Sequence, residues 1–170
     1  MANEIERKFL INKEKFNLFL KNEDFREKEI IQGYIPRENN TTVRIRIYSN
    51  QGFLTIKRKI IGISRPEYEY EIPKDEAEEM LVTLCNPKLI TKTRILVIVG
   101  KHTWEVDFFK ENNEGLIVAE IELGSEDESF VLPEWATVEV SDQKKYSNAR
   151  LIKNPFSKWK KKDVDEYNAK

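Results

Sequence analysis

Along most of this chain, charged residues recur at every second position, and within each segment they share one sign. Glu4-Ile5-Glu6, Glu67-Tyr68-Glu69-Tyr70-Glu71, Glu105-Val106-Asp107 and Glu120-Ile121-Glu122 are acidic; Arg44-Ile45-Arg46, Lys57-Arg58-Lys59 and Lys92-Thr93-Arg94 are basic. A period of two is the signature of a β-strand, whose side chains alternate between faces. Like charges two residues apart on one face repel, so seven such segments require counter-charges on neighbouring strands or on a ligand.

Alternation predicts eight strands, over Glu4–Leu10, Glu29–Ile35, Thr42–Tyr48, Phe53–Lys59, Glu67–Ile72, Ile90–Val99, His102–Phe109 and Leu116–Leu123. Asn50-Gln51-Gly52 and Asn112-Asn113-Glu114-Gly115 read as turns between them. Helical spacing of apolar residues predicts helices over Lys13–Lys21 and Pro73–Leu84, with Pro73 at the start and Asp75 in the first turn. A short helix is expected in Lys144–Lys153, and Lys158–Lys170 reads as a charged tail, helical or frayed.

Two arrangements satisfy the sorted charges. The strands pair acid against base on the wet face of a sandwich, or they close into a barrel with the charges inside. A barrel of about eight strands has an interior of side-chain width, where charges are costly unless paired or ligand-bound. A divalent cation carried on a polyphosphate answers both signs: carboxylates take the hard cation, while Arg and Lys take phosphate oxygens. Phe9, Tyr68, Tyr70, Trp104 and Phe108 on the opposite faces would then lie beneath the helices.

Composition narrows the classes further. At 170 residues the chain suits one domain. A charged fraction of 35 % against 39 % hydrophobic is often found in disordered or coiled-coil chains, but nine Phe, six Tyr and three Trp argue for a packed core. The 29 Lys and Arg are balanced by 30 Asp and Glu, which argues against a nucleic-acid partner. No long apolar run or basic-then-apolar leader is present, so no membrane partner and a cytoplasmic location are expected. Cys85, the single cysteine, excludes an internal disulfide and is expected at a helix end in the core; His102, the single histidine, is expected at the surface.

The segment Glu4-Ile5-Glu6-Arg7-Lys8 matches the ExExK signature of the CYTH superfamily, the triphosphate tunnel metalloenzymes. Gln32-Gly33-Tyr34-Ile35, Val43-Arg44-Ile45-Arg46, Thr55-Ile56-Lys57, Arg65-Pro66-Glu67-Tyr68-Glu69, Lys92-Thr93-Arg94, Glu105-Val106-Asp107, Val118-Ala119-Glu120-Ile121-Glu122 and Lys144-Lys145-Tyr146-Ser147-Asn148 follow in the family's order. The chain most resembles the short bacterial tripolyphosphatases.

The resemblance implies an α+β, mainly β fold: a closed eight-stranded antiparallel barrel forming a tunnel, with helices on the outside. It places the CYTH domain over residues 1–154, with a tail over 155–170. It implies hydrolysis of a triphosphate, inorganic tripolyphosphate foremost, with Mg²⁺ or Mn²⁺ in a two-metal mechanism. Glu4, Glu6, Glu67, Glu69, Asp107, Glu120 and Glu122 become metal ligands. Lys8, Arg44, Arg46, Lys57, Lys92 and Arg94 become phosphate ligands; Lys8 and Tyr34 also resemble a pair that assists the attacking water, so Lys8, Tyr34, Arg44 and Arg46 are the catalytic set. Lys59 and Arg65 are candidates for the entrance. A class IV adenylyl cyclase and a non-catalytic polyphosphate- or nucleotide-binding module are the alternatives, and a homodimer is compatible with such a barrel.

Overall fold

The computed structural model describes residues 5–36, 41–58, 67–85 and 87–168. Nine strands form among them: β1 (Ile5–Ile11), β2 (Phe25–Tyr34), β3 (Thr41–Tyr48), β4 (Gln51–Arg58), β5 (Glu67–Ile72), β6 (Ile90–Val99), β7 (His102–Phe109), β8 (Ile117–Leu123) and β9 (Ala136–Glu139). Helices α1 (Lys13–Leu20), α2 (Lys74–Thr83), α3 (Asn148–Lys153) and α4 (Lys161–Asn168) punctuate them. All pairings are antiparallel, in the order β5-β4-β3-β2-β6-β7-β8-β1-β9.

The expected closed eight-stranded barrel is not what forms among the described residues. The sheet has nine strands and two ends, β5 and β9. The reason is local: β1 pairs with β8 on one side and with the short β9 on the other, so it has no free edge to offer β5. The sheet nevertheless curls tightly. Tyr34 on β2 lies four strands from Lys8 on β1, about 19 Å on a flat sheet, yet the charges of Lys8 and Glu120 act on its hydroxyl.

The convex face carries the main core. Phe9, Trp104, Val106, Ala119 and Ile121 pack there beneath Phe16 of α1 and Trp135. The ring of Phe16 meets Trp135 edge-on at 4.9 Å, and Trp135 meets Trp104 at 5.3 Å. Asn12 caps α1, its side-chain oxygen accepting from Lys15 N at 2.9 Å. Helix α2 buries Ala77 and Leu81, with Cys85 just beyond its end, on Ile45 and Ile47. Two glycines permit that approach: a Cβ on Gly33 would lie 2.8 Å from Cys85 Cβ, and one on Gly52 would lie 2.8 Å from Ala77 Cβ. Tyr68 and Tyr70 depart from expectation, being 49 % and 55 % exposed, because α2 reaches β5 only at Ile72.

A second core lies on the concave face, at one end. Leu10, Ile90, Phe109 and Val118 stand two residues away from Lys8, Lys92, Asp107 and Glu120 respectively, and so share their face. They pack against Leu151 and Ile152 of α3, Val140, Tyr146 and Trp159. The tail is part of this layer. Tyr167 of α4 accepts a hydrogen bond from Ile117 N at 2.9 Å and donates to Gly115 O at 3.2 Å. The trough is thus stoppered at one end by apolar side chains and open at the other.

Candidate functional site

The charged segments meet between the stopper and the open mouth. Strand register places Lys8 opposite Glu120, Arg94 opposite Asp107, Tyr34 opposite Arg44, and Thr55 between Arg44 and Glu69. Because every pairing is antiparallel, each of these residues points into the same trough.

Two ion networks result. In the first, Lys8 Nζ donates to Glu120 Oε1 at 2.5 Å and lies 3.0 Å from Glu6 Oε1. Arg94 donates through Nε and Nη2 to Asp107 at 2.7 and 2.8 Å, reaches Glu120 Oε2 at 3.2 Å, and also donates to Glu105. Lys92, 1 % exposed, donates to Asp107, which is equally buried. In the second, Glu69 accepts from Arg44 Nη2 at 3.1 Å, Arg46 Nη2 at 3.0 Å and Thr55 Oγ1 at 2.7 Å. Glu67 pairs with Lys57 and lies 3.6 Å from Arg44.

The electrostatics follow from this interleaving. Burial works against the Lys8 ammonium, but Glu120 and Glu6 outweigh it and hold its pKa above the ordinary lysine value. Lys8 is therefore cationic at neutral pH. Burial likewise opposes ionisation of Glu120, yet Lys8, Lys92 and Arg94 keep its pKa far below the carboxylate range. Glu6 goes the other way: the Glu120 charge, then burial, raise its pKa against the pull of Lys8. Burial lowers the pKa of Lys92 despite Asp107. Burial also raises that of Tyr34, which stays a neutral donor and acceptor and accepts from Gln32 Nε2 at 3.1 Å.

Two features mark the trough as a ligand site. Among the described residues Arg44 Nε and Arg46 Nε are buried without a hydrogen-bond acceptor, although buried donors nearly always have one. Glu6 and Glu120 converge as like charges, a repulsion that an added cation relieves.

Most of the residues picked out from the sequence come together here: Glu6, Lys8, Tyr34, Arg44, Arg46, Lys57, Glu67, Glu69, Lys92, Arg94, Asp107 and Glu120. Glu122 lies opposite Glu6 at the mouth, exposed, with no ion pair among the described residues. Glu4, Lys59 and Arg65 lie outside the described residues. Thr55 and Gln32, both buried on the trough face, escaped the sequence reading as functional groups, although their spacing to Lys57 and Tyr34 carried the signal. His102 also differs from expectation: its side chain is only 9 % exposed, with Nε2 3.0 Å from Glu128 Oε1, on the face of β7 opposite Glu105 and Asp107.

The model of the CYTH domain matches residues 2–153. The chain belongs to the CYTH domain family. A protein named inorganic triphosphatase from Acetivibrio thermocellus is 42 % identical over 160 residues, 94 % of this chain and 99 % of that one. A second inorganic triphosphatase, from Nitrosomonas europaea, is 30 % identical over 152 residues, 87 % of this chain and 95 % of that one. The crystal structure of an inorganic triphosphatase superposes with a TM-score of 0.65 at 28 % identity, covering 89 % of this chain and 95 % of the other. The match of this CYTH domain to its relatives therefore includes all the trough strands, β1 to β8.

Proposed function

We propose that this CYTH domain hydrolyses a triphosphate, with inorganic tripolyphosphate as the preferred substrate and Mg²⁺ or Mn²⁺ as cofactor. The observation that carries the reading is the pair of buried, acceptor-less Nε groups of Arg44 and Arg46 in a trough of cations. A polyphosphate supplies several anionic oxygens to such a row, and Arg forks suit them geometrically. The relatives named inorganic triphosphatase support the same substrate class.

The donor set fits a magnesium-like ion. Among the described residues no three carboxylates converge, but Glu6 and Glu120 do, and Mg²⁺ is commonly held by one or two carboxylates together with substrate phosphates. We assign Glu6 and Glu120 to this role with Glu122, which lies opposite Glu6, and with Glu67 and Glu69 on the opposite wall; Glu4, outside the described residues, is assigned to it on the sequence pattern alone. When bound, such ions neutralise phosphate charge and lower the pKa of a coordinated water.

The chain's own side chains do the rest. Without ligand, trough cations and carboxylates neutralise one another, so binding is an exchange of partners. Arg44 and Arg46 leave Glu69 for phosphate oxygens, Lys57 leaves Glu67, and Lys8 turns from Glu6 and Glu120 to the phosphate. Lys92 and Arg94 are held in place by Asp107, which we read as positioning them, its oxygens being already engaged by both. Charge developing on the transferred phosphoryl oxygens meets these preorganised cations, where most of the catalysis of phosphoryl transfer lies. Cationic Lys8 and neutral Tyr34 serve as hydrogen-bond donors to phosphate oxygens, not as bases; the proton of the attacking water passes to a phosphate oxygen or to a carboxylate released in the exchange of partners.

The test is phosphate release from tripolyphosphate, ATP and thiamine triphosphate, each with Mg²⁺, Mn²⁺ or EDTA. Chelator-sensitive release, fastest from tripolyphosphate, is expected. Cyclic AMP and pyrophosphate from ATP without such release would establish a cyclase instead, and binding without turnover would establish a binding module.

A further inference from the structure

The stopper makes the trough one-ended. Tyr34 sits at the closed end, packed against the apolar layer of Leu10 and Val118. Away from it, the trough face of β2 runs through Ile30 and Lys28 to Arg26. Lys28 lies opposite Arg94, and Arg26 opposite Leu96, one step of about 7 Å further out. Lys28 is half-buried and Arg26 exposed, and neither side chain makes an ion pair or hydrogen bond among the described residues. This contrasts with the other trough cations Lys8, Arg44, Arg46, Lys57, Lys92 and Arg94, each paired to a carboxylate. Lys28 is instead seated on an aromatic ring, its Nζ 6.0 Å from the centroid of Tyr48; the Arg46 guanidinium lies 5.7 Å from the same ring.

We propose that Arg26 and Lys28, with Tyr48 as the ring that seats Lys28, form a rim subsite for the phosphoryl groups of a linear polyphosphate beyond the third. The proposal rests on the triphosphatase reading and names the wider substrate class. With one end stoppered, only a chain terminus enters the trough, and any continuation leaves by the mouth. The mouth is polarised. Glu6 and Glu122 lie on the β1–β8 side, Glu105, engaged by Arg94, on β7, and Glu71 on β5, while the cations without a carboxylate partner among the described residues lie on β2, so an anionic chain leaves along β2. A ring flanked by two cations anchors the turn from Arg46 to Lys28, and the final step to Arg26 extends the basic track outward.

The experiment uses the full chain and three ligands: tripolyphosphate, a longer linear polyphosphate and ATP. Binding is measured by calorimetry in EDTA and turnover separately with Mg²⁺. The native protein is expected to bind the longer chain more tightly than tripolyphosphate. Arg26→Ala/Lys28→Ala, and independently Lys28→Glu, are expected to weaken the longer chain about tenfold while leaving tripolyphosphate within about twofold. Equal weakening of both inorganic ligands, or none, overturns the proposal. So does a loss confined to ATP, which would make Tyr48 a stacking ring for a base. Absence of turnover with any ligand defeats the triphosphatase reading alone, because the binding preference is read without it.

Discussion

Replacing Asp107 by Asn tests whether the buried cations depend on it. Asp107 and Lys92 are each 1 % exposed, and Arg94 is nearly as buried. Asn keeps the shape but removes the charge that balances two cations. Breaking a buried pair from one side costs about 3–5 kcal/mol. An independent ceiling agrees. Lys92 escapes the penalty by losing its proton, and moving a lysine from its ordinary pKa to near 7 costs about 5 kcal/mol. Burial already lowers the Lys92 pKa, so that route is open. Urea unfolding followed by tryptophan fluorescence should therefore show a loss of about 3–5 kcal/mol. Two further results are required. Saturating tripolyphosphate, offering anionic oxygens to Lys92 and Arg94, should narrow the gap to the native protein, and adding Lys92→Met to Asp107→Asn should recover stability by removing the stranded charge. A variant within about 1 kcal/mol of native, the spread of ordinary surface changes and weak pairs, would refute the argument.

Glu6→Gln should lower phosphate release from tripolyphosphate by at least tenfold, yet leave stability within about 1 kcal/mol or raise it, because Glu6 is half-exposed and repelled by Glu120; parallel rate and urea measurements check both halves. Tyr146, its pKa pushed up to about 12 chiefly by burial, ionises earlier in the unfolded chain. Its stabilisation is complete below about pH 10 and fades as pH rises towards 12, by about 3 kcal/mol in all. Tyr146→Phe should therefore flatten the stability profile between those limits and leave it unchanged at neutral pH. Gly33→Ala should cost about 1–3 kcal/mol by pushing Cys85 and Leu89 away from β2, seen as a lower urea midpoint with an unchanged slope.

The alternation in Arg44-Ile45-Arg46 and Lys92-Thr93-Arg94 was enough to place both segments on strands with their charges on one face, because a period of two admits no other regular structure; that the two faces meet in one trough was not fixed by it. The balance of signs was legible too, since acidic and basic strands had to neutralise one another or a ligand. Closure was not. It was inferred from the family resemblance, and nothing in Ala136–Glu139 announced a ninth strand: four residues after Pro133 are too few for a pattern, and their pairing with β1 is a long-range choice. The start of β2 at Phe25 was missed because Arg26, Glu27 and Lys28 alternate in sign and look like solvated loop. The stopper could have been read. Leu10 and Phe109 follow, and Ile90 and Val118 precede, a charged trough residue by two places, an apolar end to a polar face. Tyr68 and Tyr70 looked like core because aromatics usually are, but α2 is too short to cover them.

The most direct measurement compares the native protein with Arg44→Gln/Arg46→Gln in the initial rate of phosphate release from tripolyphosphate with Mg²⁺, after urea unfolding has verified that both are folded. Each guanidinium is assigned a charge-assisted contact to a phosphate oxygen, so their joint loss should slow the reaction by about a hundredfold or more. A folded double variant that releases phosphate at the native rate would mean that the trough is not where the triphosphate reacts.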